Sequence, residues 1–324
     1  MVDPTHSSPM QESDSSTVRA PQFTLGETEA PDCFRAIQDE ICAMLIEETG
    51  ETYHEDLWEY EKGSGGGITR VWENGDLLEK AGVNFSSIVG DNLPSFAAEK
   101  FKIPPGTSFH ACGVSLVIHP RNPHTPTIHM NIRLFQAGNV WWFGGGIDLT
   151  PSFIAEDDAR VFHRVLRDCC ERHGEEYSVH KEEADRYFYL PHRKEMRGIG
   201  GIFVDHLKTD CDKNFAFICD IGHSFNVCYR PLLKKFLRVP YTERERAFQL
   251  FRRGRYAEFN LAIDRGTKFG LASGGRTESI LMSLPLTAQF HYHFQLESPQ
   301  EEQAMQFFQP GRDWAQERLT DEEE

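Results

Sequence analysis

The chain has 324 residues, 39% of them apolar and 24 of them Phe, enough to bury a sizeable core. Its formal charge of −16 excludes a general nucleic-acid binder, which needs a basic footprint. No apolar run approaches the ~18 residues that span a bilayer, and the eight cysteines show no C-x-x-C spacing, so a disulfide scaffold or a cysteine zinc site is not expected.

Residues 1–25 are rich in Ser, Pro, Thr and acids and read as a disordered tail. This stretch has neither a signal peptide's apolar centre nor the Arg-rich, acid-poor character of an organelle presequence, so the expected location is cytoplasmic. From Asp32, Phe34, Ile37, Ile41 and Leu45 recur at helical spacing, with Gly50 placed to end the helix. Strands around Tyr53–Tyr60 and Ile68–Trp72 flank a glycine-rich stretch, Gly63–Gly67, expected to form a hairpin turn or mobile lid. A phosphate loop is excluded because no Gly-Lys-Ser/Thr follows. A short helix is expected over Leu93–Phe101.

The stretch Val114–Phe135 reads as two strands joined by a proline-studded loop. In the second, Ile128, Met130, Ile132 and Leu134 alternate with His129, Asn131 and Arg133, and in the first Ser115, Val117 and His119 share a face. An ordinary solvated face carries Lys, Glu and Thr; this one reads as a pocket floor. A strand follows at Val140–Phe143, then a triple glycine, and a helix over about Glu156–His173 with Phe162, Val165, Leu166 and Cys169 as its apolar stripe. Further on, a glycine-broken strand is expected at Arg197–Asp205. A long helix should run over Asn214–Leu237, kinked or broken by Pro231, and Thr242 with Glu245 should form a capping box for the next. Alternation predicts a strand at Tyr256–Ile263 and another at Gln289–Phe294. Between them a short helix, Glu278–Leu284, is expected, and one or two amphipathic helices between Pro299 and Leu319. The pattern implies one α+β domain, 26–318, with a large, mainly antiparallel sheet flanked by helices and an acidic tail at 319–324.

Five histidines invite a metal, His119, His124, His129, His163 and His192, yet none of the five stands in an H-x-H or H-E-x-x-H spacing, and proton transfer by His129 is the better reading. Arg133, Arg265 and Arg276 sit where a carboxylate could be met, and the amides of Gly274 and Gly275 could add an anion-binding nest; each arginine could equally be structural. Asp264 is either a turn residue bonding toward Gly266 or a carboxylate receiving a ligand's N–H groups. Trp141, Trp142 and Phe143 either pack the sheet or wall a flat ligand.

The strings HPRNPHTPTIHMNIRLF, WWFGGGIDLTP, HRKEMRGIGGIFVD, RRGRYAEFNLAIDRGTKFGL and GGRTESILMSLPLTA together resemble the oxygen-dependent coproporphyrinogen III oxidases, over nearly everything from Pro31 to Arg318. The resemblance implies conversion of two propionates of coproporphyrinogen III to vinyl groups by molecular oxygen, yielding protoporphyrinogen IX, carbon dioxide and hydrogen peroxide. It implies a homodimer with its interface within about 256–291, and no metal or organic cofactor. By position, His129 matches a proton donor and Ser115 a substrate contact. Asn131, Ile132 and Arg133, and likewise Gly274, Gly275 and Arg276, match substrate-binding triplets. Asp264 and Arg265 match a pair holding pyrrole N–H groups and a propionate. An older metal proposal would fall on His119, His129, His163 and His192. His206 departs from the pattern, since related sequences commonly carry a second acid after Asp205. A non-catalytic tetrapyrrole carrier and a histidine-ligated metal oxygenase are the rival readings.

Overall fold

The structure is a computed structural model in which residues 22–273 and 275–316 are described. Most of the N-terminal tail, the anion-nest residue Gly274 and the acidic C-terminal tail therefore lie outside the described residues.

Helix α1 (Glu29–Thr49) ends where expected, with Gly50 in the left-handed conformation at φ 74° donating back to the Ile46 carbonyl. The sheet begins with β1 (His54–Glu59), β2 (Gly63–Glu73) and β3 (Leu78–Gly90). After the short α2 (Ser95–Phe101) come β4 (Phe109–Pro120), β5 (Thr127–Ala137) and β6 (Val140–Thr150). Helices α3 (Glu156–Arg172) and α4 (Tyr177–Tyr187) follow, then a two-residue hairpin, β7 (Tyr189–Leu190) with β8 (Glu195–Met196), and β9 (Gly200–Leu207). The seven long strands form one antiparallel sheet in the order β1-β2-β3-β4-β5-β6-β9, as the α+β reading required.

Helices α1 and α5 (Cys211–Phe236) lie across one face of this sheet, with α3 packed outside α5. Ile128, Met130, Ile132 and Leu134 point into that layer, beside Phe34, Ile37 and Ile221. The opposite face is open over its middle and bounded at its margins. At one end, α2 closes an apolar cluster of Phe109, Phe135 and Trp142. Along the β9 edge, Phe188, Phe203 and Phe259 form a second cluster. The remaining helices are α6 (Glu243–Glu258), α7 (Arg265–Ser273), α8 (Thr277–Leu281) and α9 (Pro299–Phe307). Among the described residues, no helix is long and apolar enough to cross a membrane.

Several expectations are corrected. Gly63–Gly67 is not a turn but the first half of β2, paired with β3 throughout and with β1 from Gly66 on; a Cβ at Gly66 would fall 2.0 Å from the Trp58 carbonyl oxygen, so only glycine lets the strands approach there. Likewise the triple glycine 144–146 continues β6 through Thr150. Tyr256–Ile263 is helical, as the end of α6 and a π-helical turn, Phe259–Ile263: its buried residues Arg252, Tyr256, Phe259 and Asn260 follow helical spacing from α6, which outweighs the β-type composition. Gln289–Phe294 forms no strand. Its Phe294 stacks on Phe251 of α6 at 4.4 Å, and that side-chain packing holds the segment instead of a ladder. Pro231 does not break α5: the carbonyl it leaves unpaired belongs to Val227, on the helix's exposed side, where water can satisfy it. The capping box at Thr242 forms as expected.

Two buried histidines make the fold acid-sensitive. His119 (β4) bonds the Ser283 carbonyl through Nε2 at 2.9 Å, and His163 (α3) meets the Tyr177 hydroxyl at 2.8 Å; both are fully buried. Burial first, then Arg253 beside His119 and Lys181 near His163, pushes both imidazoles well below 6.5. Folding therefore favours their neutral forms. That contribution is complete above the unfolded value and is lost as pH falls below it, at about 1.4 kcal/mol per pH unit for each histidine. Urea midpoints should drop between about pH 7.5 and 5.5, and His163→Phe should flatten the slope by roughly one proton's worth. A pH-independent midpoint across that window would remove both histidines from the account.

Candidate active site

The open face has a regular row structure. Residues paired across an antiparallel ladder share a face, so Ser115 opposite Asn131, Asn84 opposite Ser115, Thr69 opposite Asn84 and Asp56 opposite Thr69 make one continuous polar row. Gly146 and Phe203 continue it toward β9. The next row carries Trp58, Gly67, Ser86, Gly113, Arg133 and Gly144, and the one on the other side carries Gly82, Val117, His129, Asp148 and Gly201. Glycine and short polar side chains over five strands leave a low, flat floor with hydrogen-bonding groups along it.

His129 is held by a chain of buried partners. Its Nδ1–H donates to Asp148 Oδ1 at 2.8 Å, and Arg197 donates through Nη2 to both Asp148 oxygens at 2.7 and 2.9 Å. Asp148 and Arg197 are each 1% exposed. Burial raises the Asp148 carboxyl, but Arg197 and His129 outweigh it and hold it below the usual carboxylate range. The Arg197 guanidinium lies 4.4–4.5 Å from the ring centres of Phe188, Tyr256 and Phe259, an aromatic box that fixes its position. With Nδ1 committed to Asp148, Nε2 is the ring nitrogen left facing the floor. Asn131 Nδ2 lies 3.4 Å from it, and Asn131 Oδ1 accepts from Arg133 Nη1 at 3.3 Å. Arg133 also donates to Asp205 at 3.1 Å and lies over Trp142 at 5.3 Å; its Nε has no hydrogen-bond partner among the described residues.

Asp264 stands at the β9 margin of the same floor. It follows the π-helical turn and precedes α7, accepting from Thr267 N at 2.6 Å and Thr267 Oγ1 at 2.7 Å, so the turn reading is correct, with Thr267 rather than Gly266 as the donor. Its other oxygen accepts from the Tyr187 hydroxyl at 2.6 Å. Burial raises this carboxyl, and the bonds from Tyr187 and Thr267 together with the nearby His129 bring it below 3.8, so it is ionised at neutral pH. Tyr187 stacks on Phe203 at 4.2 Å and carries the Arg265 guanidinium 4.8 Å from its ring centre; burial and Asp264 push its own hydroxyl up to about 12. One carboxylate thus caps the turn and also stands at the edge of the open face.

On the β1 side, Arg276 pairs with Asp56 at the end of the polar row, while its Nε, 3.9 Å from a Glu278 oxygen, has no hydrogen-bond partner among the described residues. Helix α8 is seated by Ser279 on Thr69 at 2.8 Å. Residues 56 to 276 are brought together here only by folding.

Of the residues expected from sequence, Ser115, His129, Asn131, Arg133, Asp264, Arg265 and Arg276 lie on or around the open face. Ile132 does not: its fully buried side chain is in the helical layer against Gly222 and Ile37, so only its backbone belongs to the floor strand. Gly275 follows α7 and donates to the Gly270 carbonyl at 3.0 Å, a helix-ending bond that commits its N–H. Trp142 faces the floor, whereas Trp141 and Phe143 belong to the helix-side core. The metal-ligand set does not assemble. His119 and His163 are sequestered in separate places, His192 pairs with Glu258 on a turn, and no group of three or more His, Cys, Asp or Glu among the described residues is arranged to hold an ion. His206, with φ 57°, pairs with Asp205 at 3.2 Å and packs on Trp142 at 4.9 Å, so it extends the Arg133–Asp205 group.

Asp148, Arg197 and Tyr187 were not anticipated. Asp148 had a signal, as an acid inside a strand-forming run; Arg197 and Tyr187 had none, because their roles depend on contacts with residues distant in sequence.

Fold and site together define an α+β protein with a histidine, a carboxylate and cationic groups around an open, flat polar face. A model of the coproporphyrinogen III oxidase family matches residues 29–314. The oxygen-dependent coproporphyrinogen-III oxidase of Dictyostelium discoideum is 50% identical over 316 residues, covering 90% of this chain and 95% of that protein. The chain belongs to the coproporphyrinogen III oxidase family.

Proposed function

We propose that this enzyme converts coproporphyrinogen III to protoporphyrinogen IX in haem biosynthesis, with molecular oxygen as oxidant. The observation that carries the reading is the flat polar floor with His129, Asn131 and Arg133 aligned on it and Asp264 at its margin. A flexible tetrapyrrole with four carboxylates needs such a surface, cations at its rim and an anion for its pyrrole N–H groups.

In each of two rounds, a propionate loses carbon dioxide and its β-hydrogen, and the two electrons released reduce oxygen to hydrogen peroxide. Asp264, ionised and fixed by three hydrogen bonds, accepts pyrrole N–H groups and takes one proton as the ring becomes electron-rich enough to react with oxygen. Arg133, Arg265 and Arg276 hold carboxylates. His129 supplies or removes a proton through Nε2, its tautomer set by Asp148. The chain's contribution is position and charge placement; the electrons come from the substrate. No metal or organic cofactor has a part in this reading.

The test is incubation of purified, chelator-treated protein with coproporphyrinogen III in air. Vinyl product with stoichiometric peroxide is expected. Binding without turnover would favour a tetrapyrrole carrier, and activity restored only by an added metal would favour a metal oxygenase. For Arg276→Ala, KM should rise about tenfold with a smaller change in kcat, as for a lost carboxylate partner; an unchanged KM would remove Arg276 from binding.

The reading includes a homodimer using part of residues 256–291. Leu261, Phe269, Leu271, Leu286 and Phe290 are exposed along this segment, apolar side chains that an interface between two copies would cover. Light scattering should return twice the 37.1 kDa chain mass, and Phe290→Glu with Leu286→Glu should halve it; a monomeric wild-type protein would refute this. The cytoplasmic placement belongs to the same proposal and would be overturned by organellar fractionation of the native protein.

A further inference from the structure

On the helical layer, behind the sheet, Cys33 of α1 and Cys219 of α5 bring their sulfurs to 2.6 Å. This is well inside ordinary sulfur contact, and longer than the ~2.05 Å of a formed disulfide. Both side chains are half-buried, whereas the other six cysteines are buried. On the solvent side of the pair, His223 of α5 bonds Glu40 of α1 at 2.9 Å, and both are exposed. We infer that Cys33 and Cys219 form a peroxide-reactive dithiol that closes to a disulfide between α1 and α5, with His223 as its activating base.

The two thiols are not equivalent. Cys219 itself, followed by His223, pulls the Cys33 thiol down to about 6 despite burial, while the contact with Cys33 and burial push Cys219 up. The bond with Cys33, then Glu40, raises His223 to about 9 against the effect of burial. The lowered thiol points to Cys33 as the attacking thiolate, and Cys219 is then the resolving thiol. Burial pushes Cys42, Cys112, Cys169, Cys170 and Cys228 up, which leaves them unreactive.

In the first step the Cys33 thiolate attacks one peroxide oxygen, the O–O bond breaks, and hydroxide leaves as water with the His223 proton. In the second, Cys219 sulfur attacks the Cys33 sulfenic acid, the S–O bond breaks, the S–S bond forms and a second water leaves. Two thiols lose two electrons and one peroxide becomes two waters. The source of the oxidant in turnover rests on the proposed reaction, which releases peroxide from the other side of the same sheet. Such a cross-link, between residues 186 apart, restrains much of the chain and should raise the melting temperature.

The full chain, reduced and then treated with a small excess of reagent hydrogen peroxide, should lose two hydrogens in intact mass. Non-reducing peptide maps should show Cys33 linked to Cys219. Cys33→Ser should abolish the link, Cys219→Ser should leave a sulfenic acid on Cys33 that a dimedone probe captures, and His223→Ala should slow oxidation about tenfold. Prior oxidation of any other cysteine, or no linked peptide from folded wild-type protein, would overturn the dithiol; an unchanged rate in His223→Ala would overturn the role of His223. Because the peroxide is added as reagent, failure here is separable from failure of the oxidase reading. During turnover in air, the link should accumulate without catalase and not with it.

Discussion

Replacing Asp264 with Asn is expected to lower kcat about a thousandfold while moving the urea midpoint little. On the proposed reading the carboxylate has two separable duties. As the cap of α7 it accepts from the Thr267 amide and hydroxyl, and an amide oxygen does that nearly as well, so the loss of stability should stay near 1 kcal/mol. As the anion facing pyrrole N–H groups it cannot be replaced: the amide carries no charge and takes no proton at neutral pH. The Tyr187 hydroxyl, which donates at 2.6 Å to a carboxylate oxygen, must then share a single amide oxygen or face an N–H group. Initial rates with coproporphyrinogen III, beside urea unfolding of the same preparation, check the prediction. Near-normal turnover would remove Asp264 from the chemistry and leave it a cap.

The second large effect is expected at Arg197, which touches no substrate. Arg197→Met should cost about 3–5 kcal/mol of stability and at least a hundredfold in kcat. The methionine fits the box of Phe188, Tyr256 and Phe259, so packing survives. What is lost is the cation that keeps the buried Asp148 ionised, and with it the bond that directs His129 Nε2 toward the floor. Arg197 is therefore a positioning residue. A merely structural role predicts that Asp148→Asn, added to Arg197→Met, restores stability and turnover together. The positioning role predicts recovered stability with turnover still low and a changed pH–rate profile, because the neutral amide no longer selects the Nδ1–H tautomer. Full activity in either variant would disprove it.

The parts of this site that were legible beforehand are those written in local periodicity. Alternation in Thr127–Phe135 assigned His129, Asn131 and Arg133 to one face and Ile132 to the other, whereas the register that sets Ser115 beside Asn131 came only from the folded sheet. Boundaries failed where local preference and packing disagree. Gly63–Gly67 looks like a turn because glycine is permissive, yet it pairs with β3 throughout and with β1 at Gly66 and Gly67, and the neighbouring backbone leaves no room for a Cβ at Gly66. Tyr256–Ile263 looks like a strand because its residues are aromatic and branched, yet α6 carries on through it. That error mattered, because the π-helical turn is what delivers Asp264 to the β9 margin.

The amino-acid sequence by itself determined the α+β class, the apolar underside and polar face of the central strands, the capped helices, and, through its long matching strings, the family. Only the tertiary structure decided that Arg197 braces Asp148, that Tyr187 holds Asp264, that Arg276 closes a row begun at Asp56, and that Cys33 meets Cys219. Periodicity reports which way a side chain points within its own element. Which distant side chain it meets depends on how the elements pack, and one strand face tolerates many partners until the whole core excludes all but one.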